Sequence, residues 1–190
     1  WTPTGADGCC EKAQFSAGFE SKKLHGFVLE NSLKTSMWQV ITGGKAFKGK
    51  GSLYYGNLAK GNYDDGVSKG TATSAEWTIA AKEKTTMRFA LYMDTETSTT
   101  YDKLEVLVIR GGKKYKVWDK KAAGFKTKAW VEYAVDLSAF AGQNVKVQFE
   151  FDTNDGVANT GEGVYLDEIR LERSCSDHAC NQAKDCDDGH

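Results

Sequence analysis

Carboxylates and aromatic rings are the side chains whose placement in this sequence suggests chemistry. Between Phe149 and Leu171, in FEFDTNDGVANTGEGVYLDEIRL, an alternating apolar segment breaks into an acidic, glycine-bearing loop and resumes as a second alternating segment. Asp167 has the parity of Ile169 and Leu171, so strict alternation turns its carboxylate toward the same interior. A carboxylate in that position requires a cation, a cluster of backbone N–H groups or a proton. The leading expectation is a structural Ca²⁺ site. A second set of acids comes from two loops, Asp94, Glu96 and Asp102 in one, Asp152, Asp155 and Glu162 in the other, placed to meet at one end of a sandwich. The run DTNDG resembles a calcium loop, but Gly156 and Gly163 stand where the EF-hand register needs ligands. The plainer reading of these residues is Asx-turn chemistry that shapes the loops.

Sugar recognition requires exposed rings that stack on pyranoses, with polar groups to orient hydroxyls. Trp118 falls on the outward parity of Lys114 and Lys116 and is the best single candidate; Tyr54, Tyr55, Tyr63 and Tyr101 lie in or near loops and could line a cleft. Trp38, Trp77 and Trp130 read as packing residues. Of three histidines only His25 lies within the main domain, and neither G-x-S-x-G nor H-E-x-x-H occurs. Catalysis is therefore not expected, and a glycosidase built on Asp94 and Glu96 is the remaining enzymatic alternative.

The elements that must position these groups are strands. Period-two alternation recurs along the chain, as in Met87, Phe89, Leu91 and Met93, in Val131, Tyr133, Val135 and Leu137, and in Val145, Val147, Phe149 and Phe151. Further strands are predicted near 14–20, 36–42, 51–56, 71–79, 103–110, 113–119 and 163–172. About ten strands of this size form two packed antiparallel sheets. A single helical turn is predicted over Leu137–Ala141.

With 190 residues, 40% hydrophobic, the chain can bury one substantial core. Its formal net charge of -1 gives no field for nucleic acid or an anionic membrane, and no apolar run is long enough to cross a bilayer. Lysines 45, 48 and 50, and 113, 114, 116, 120 and 121, read as solvated strand faces and edges. The five cysteines stand at the ends, Cys9 and Cys10 before the first strand and Cys175, Cys180 and Cys186 after the last. That placement points to an oxidising, extracellular or cell-surface setting. A bridge from Cys9 or Cys10 to Cys175, with Cys180 closing on Cys186, is one arrangement among several; a zinc site with His178 is the alternative. A start at Trp1 and a stop within a cysteine-bearing pattern lead us to expect a piece of a longer polypeptide. The main domain is placed at 1–173, and 174–190 is read as a cysteine-rich tail or the start of another module.

The order FSAGFE, GFVLENSLKTSMWQV, GKGSLYYGN, TSAEWTI, TMRFALYMDTE with YDKLEVLV, FEFDTND and GVYLDEIRL resembles the MAM-like jelly-roll modules of secreted bacterial proteins and peptidases. The likeness covers about Phe15 to Arg173. It implies a two-sheet antiparallel jelly-roll sandwich with a recognition or adhesion role and no catalysis. The ligand would be a carbohydrate or a surface protein, and an accessory domain of a secreted peptidase is the other reading. Related carbohydrate-binding jelly rolls hold a structural Ca²⁺ between a Glu of the first strand and an Asp of the last. By that resemblance Glu20 and Asp167 are the matching positions, with further oxygens from Gly43 and Gly44 carbonyls or from Asp64 and Asp65. On strand parity alone Glu20 is a surface residue. Glu96 and Asp102 match acidic positions of the bacterial modules, and Asp152 belongs to the loop facing them.

Overall fold

The computed structural model describes residues 12–122 and 124–174. The cysteines, the zinc alternative and the tail from Cys175 onward lie outside the described residues. In chain order the strands are β1 (Lys12–Ala17), β2 (Val28–Asn31), β3 (Met37–Thr42), β4 (Gly51–Gly56), β5 (Lys69–Thr73), β6 (Trp77–Thr78), β7 (Thr85–Asp94), β8 (Lys103–Arg110), β9 (Lys113–Asp119), β10 (Val131–Asp136), β11 (Asn144–Asp152) and β12 (Gly163–Arg173). The single helical turn among the described residues is a 3-10 turn over Ser138–Phe140.

These strands build the expected two-sheet antiparallel jelly-roll sandwich. Sheet A has the order β10-β7-β12-β4-β3, with β1 also paired to β12; sheet B has the order β2-β5-β11-β8-β9, with β6 paired to β11. The alternating residues of both sheets meet between them. Phe89, Leu91, Leu53, Tyr55, Leu166 and Ile169 of sheet A face Val106, Val108, Val147, Phe149 and Phe151 of sheet B in one buried core. Tyr55 packs 4.8 Å from Phe151, and Phe89 5.3 Å from Phe149, ring centre to ring centre. Burying such rings is the main source of the fold's stability.

Two strands depart from strict alternation, and both departures move a candidate site residue. In β12, Asp167 pairs with Ala90 while Arg170 pairs with Arg88, so one extra residue is inserted at Glu168, whose φ is +47°. A bulge of this kind reverses the parity of everything beyond it. Asp167 is buried, as expected, but on the outer face of sheet A with Tyr165, whereas Ile169 and Leu171 point into the core. In β9, Trp118 pairs with Val106 and Lys116 with Leu107, which leaves Val117 as the extra residue. The expectation of an outward Trp118 is corrected by that bulge: its ring enters the core against Phe89 and Tyr133, at 5.5 and 4.8 Å. Residues 71–79, expected as one strand, divide into β5 and β6, and β2 has no counterpart in the expected set.

Candidate functional site

The outer face of sheet A carries a row of rings. Tyr165 is in register with Tyr54 on one side and Tyr92 on the other. Their ring centres lie 4.5 and 5.7 Å apart, and Trp130 continues the row 5.9 Å from Tyr92. The loop Gly43–Lys50 folds over this row. The Lys45 ammonium sits 3.5 Å from the Tyr92 ring centre and pairs with Glu162 at 2.8 Å, and Phe47 packs on Trp130. Burial works against the charge on Glu162, but its bonds to Lys45 and Tyr92 hold its carboxyl below the ordinary value. Tyr54, expected near a cleft, is therefore fully covered; it donates its hydroxyl to the Glu162 carbonyl, and burial pushes its pKa up to about 12.

Asp167 and Glu20 fasten the same loop. Asp167 Oδ2 accepts the N–H groups of Phe47 and Lys48 at 2.9 and 3.0 Å, and Oδ1 accepts that of Glu168 at 2.7 Å. Burial raises the Asp167 pKa, outweighing those three donors. Glu20 stands just beyond β1, where Phe19 has φ +60°, and is exposed as parity predicts. Its carboxylate accepts the Lys50 N–H with both oxygens and the Gly51 N–H at 3.1 Å. Glycine is favoured at 49 by its φ of +65° and at 51 because a Cβ there would lie 2.4 Å from the Phe19 carbonyl oxygen. Both carboxylates thus fasten the loop through its main-chain N–H groups. Asp64 and Asp65 lie beyond the opposite end of β4. Asp65 is held by Ser36, Asn57 and Lys60 well below the usual carboxylate range, and Asp64 offers Lys60 its carbonyl.

Most acids of the two facing loops have partners of their own, and among the described residues no three His, Cys, Asp or Glu side chains gather as a metal site. Asp94 accepts the Glu162 N–H at 3.2 Å and faces Lys128 at 3.5 Å. Asp152 pairs with Lys69 and accepts the Asn154 N–H, and Asp155 accepts that of Val157, which is the Asx-turn chemistry expected of them. Asp102 is fully buried with φ +49°, and its Oδ2 accepts the Tyr63 hydroxyl at 2.5 Å and the Glu96 N–H at 3.0 Å. Burial raises its pKa. Lys120, read from sequence as solvated, is 4% exposed: its side chain turns from the end of β9 into the loop of Glu96 and Asp102, and burial lowers its pKa.

The outer face of sheet B is charged: Lys116 is exposed and Glu105 and Glu150 are half-buried, while Thr71, Gln148 and Leu107 are buried. Across neighbouring strands it carries Thr71 and Thr73, Glu150 and Gln148, Glu105 and Leu107, then Lys116, in that register. Lys69 and Lys114 bridge to Glu150 at 2.7 and 3.1 Å, and Lys116 bridges Glu105 and Asp119 at 3.2 and 2.9 Å. Two adjoining depressions share Lys103 and Glu105. One continues past Thr99, Lys116, Asp119 and Lys121, the other past Glu150 and Asp152. At about 60 and 40 Å³ each holds one or two waters, so a larger ligand would lie along the face rather than enter it. Tyr101, 38% exposed, lies in the same loop, two residues from both Thr99 and Lys103 in sequence.

Of the sequence-predicted ligand residues, Tyr101 alone is accessible, while Trp118 and Tyr54 are packed. Sequence reasoning missed Glu105, Lys116, Asp119 and Glu150. The wet parity of Lys146, Gln148 and Glu150 on β11 was the available signal. Lys120 gave no signal, because it stands in a run of exposed lysines.

No protein-family model matches the chain, so the MAM resemblance remains a likeness of motifs. Bacillopeptidase F of Bacillus subtilis is 25% identical over 147 residues, 77% of this chain and 10% of that protein. The pre-pro-metalloprotease PrtV of Vibrio cholerae is 35% identical over 104 residues, 50% of this chain and 11% of that protein. The chain thus spans about a tenth of the length of the curated relatives it matches. Among solved structures, the CBM22-1 xylan-binding domain of Paenibacillus barcinonensis Xyn10C aligns with a TM-score of 0.55 at 16% identity, covering 87% of this chain and 97% of that one. The K1 cleaved adhesin domain of Lys-gingipain from Porphyromonas gingivalis aligns with a TM-score of 0.52 at 13% identity, covering 85% and 98%. The two share this fold.

Proposed function

We propose that the chain is a non-catalytic recognition module of a larger secreted or surface-displayed protein, and that it takes a hydroxyl-rich polysaccharide along the outer face of sheet B. The observation that carries this reading is the pair of adjoining depressions lined by carboxylates and ammonium groups, with Tyr101 exposed in the loop that also supplies Thr99. A pyranose has an apolar face that stacks on a ring and hydroxyls that both donate and accept. Glu105, Lys116, Asp119 and Glu150 offer acceptors and donors side by side, already fixed by one another. The fold likeness to a xylan-binding domain and the partial match to two peptidases support an extracellular accessory role.

Affinity electrophoresis through gels containing neutral and acidic polysaccharides tests it, on the wild type, Tyr101→Ala and Glu105→Gln. Retardation by at least one polysaccharide, weakened in both variants, is expected. Retardation that both variants retain in full would remove the face from the reading.

A second reading, adhesion to a protein surface, is favoured by a different observation. Val67 and Val157 are 63% and 69% exposed on neighbouring loops, where Gly156 lies against Gly66. Absence of retardation in every gel, with concentration-dependent self-association in sedimentation, would favour it.

A further inference from the structure

The buried ammonium of Lys120 has surroundings unlike those of a salt-bridged lysine. It donates to the Glu96 carbonyl, and it meets Thr95 Oγ1, the Tyr101 carbonyl and the Asp102 carbonyl at 3.4, 3.4 and 3.3 Å. Four oxygens converge on a group with three N–H bonds, which is the arrangement of ligands about a spherical ion more than of directed pairs. Three of the four are main-chain carbonyls, the ligand type that hard cations select. The carboxylates of Asp102 and Glu96 attract the ammonium without touching it, and Asp102 Oδ1 is buried with no hydrogen-bond partner.

We propose that the loop 95–102 is a cation site and that the Lys120 side chain is its resident cation, standing in this chain where a metal ion would otherwise be bound. The inference is independent of the polysaccharide reading. It makes Lys120 the positioning residue for Tyr101, whose carbonyl is one of the four ligands, so that this loop is held without dissolved metal. Removing the ammonium leaves three carbonyls and a hydroxyl around a vacated space, and with two or more waters these reach the six to eight oxygens of Ca²⁺.

The test is the melting temperature of the full chain as wild type, Lys120→Ala and Lys120→Met, each with chelator, with millimolar Ca²⁺ and with ethylammonium chloride. Both variants should melt roughly 5–15 °C lower than the wild type in chelator. Lys120→Ala should regain several degrees in Ca²⁺ or ethylammonium, and the wild type should not respond, because only a native state with an empty site gains from the ion. A Lys120→Met protein as stable as the wild type would overturn the proposal by showing that the stem alone matters. So would a Lys120→Ala loss that no cation restores. Should Lys120→Ala not fold, reductive methylation of the wild type decides: Lys120 is expected to stay unmodified under conditions that methylate Lys121, and equal labelling of the two would overturn the proposal.

Discussion

The two outer faces of the sandwich are built from similar residue types and used in opposite ways. On sheet A, lysines, carboxylates and tyrosines are turned on one another beneath the loop Gly43–Lys50; each acid there has an N–H group or an ammonium, and the rings are covered. On sheet B, lysines and carboxylates pair with one another across the strands and the lysine side chains stay about half exposed. The difference teaches that composition does not mark a binding face. What separates the two is whether a neighbouring segment supplies the hydrogen-bond partners, because a face whose polar groups are already satisfied under cover has nothing left to exchange with a ligand.

Substitutions can break or sharpen that contrast. The largest effect is expected for Trp118→Ala, at the residue that uninterrupted alternation would place on the outer face of sheet B. Emptying its core site should cost about 3–5 kcal/mol in urea unfolding, and any binding it loses should disappear with the folded state. A fully stable Trp118→Ala protein would show that the ring belongs outside. Asp167→Ala follows: it leaves the Phe47, Lys48 and Glu168 N–H groups without their acceptor, and a loss of about 3 kcal/mol is expected, with hydrogen exchange rising in residues 43–50 and polysaccharide retardation unchanged. Tyr101→Ala should do the reverse, weakening polysaccharide binding about tenfold, roughly 1.4 kcal/mol, while stability stays within about 0.5 kcal/mol.

The smallest effect is in the pH dependence, where the faces should have opposite signs. The Asp167 pKa is raised by burial, so its contribution to stability is full below the ordinary 3.8 and is lost as pH rises through the raised value. For Glu150 burial acts upward too, but the Lys69 and Lys114 bonds bring its pKa below 4.5; its contribution is present above 4.5 and is lost as pH falls through the lowered value. Unfolding curves between about pH 3 and 6 for Asp167→Asn and Glu150→Gln, each subtracted from the wild type, should therefore slope in opposite directions. Equal slopes would mean that the two carboxylates share one environment.

Much of the frame was legible because burial on one face imposes period two. The sets beginning at Met87, Val131 and Val145 lie in strands as expected, except that Leu137 falls just past the end of β10, and their apolar members pack between the sheets. The site was less legible, for reasons visible in single residues. Glu168 in a left-handed conformation and the unpaired Val117 each add one residue to a strand, and nothing in their side chains announces it. The parity of Asp167 and of Trp118 was lost at those points. Strand β2 was missed because it is an edge strand of four residues with Val28 62% exposed, so it has no dry face to alternate. The run GGKAFKGKG reads as a solvated edge, and only Phe47 hints that it folds back over a sheet.

The pairing of β1 with β12 sets how the module responds to load. Lys12 lies opposite Arg173, so the start of the first described strand and the end of the last sit side by side at one corner. Tension from flanking polypeptide at those two residues acts across the strands, along the β1–β12 hydrogen bonds, which break one after another instead of sharing the load. The module should peel open at low force when pulled from these two residues.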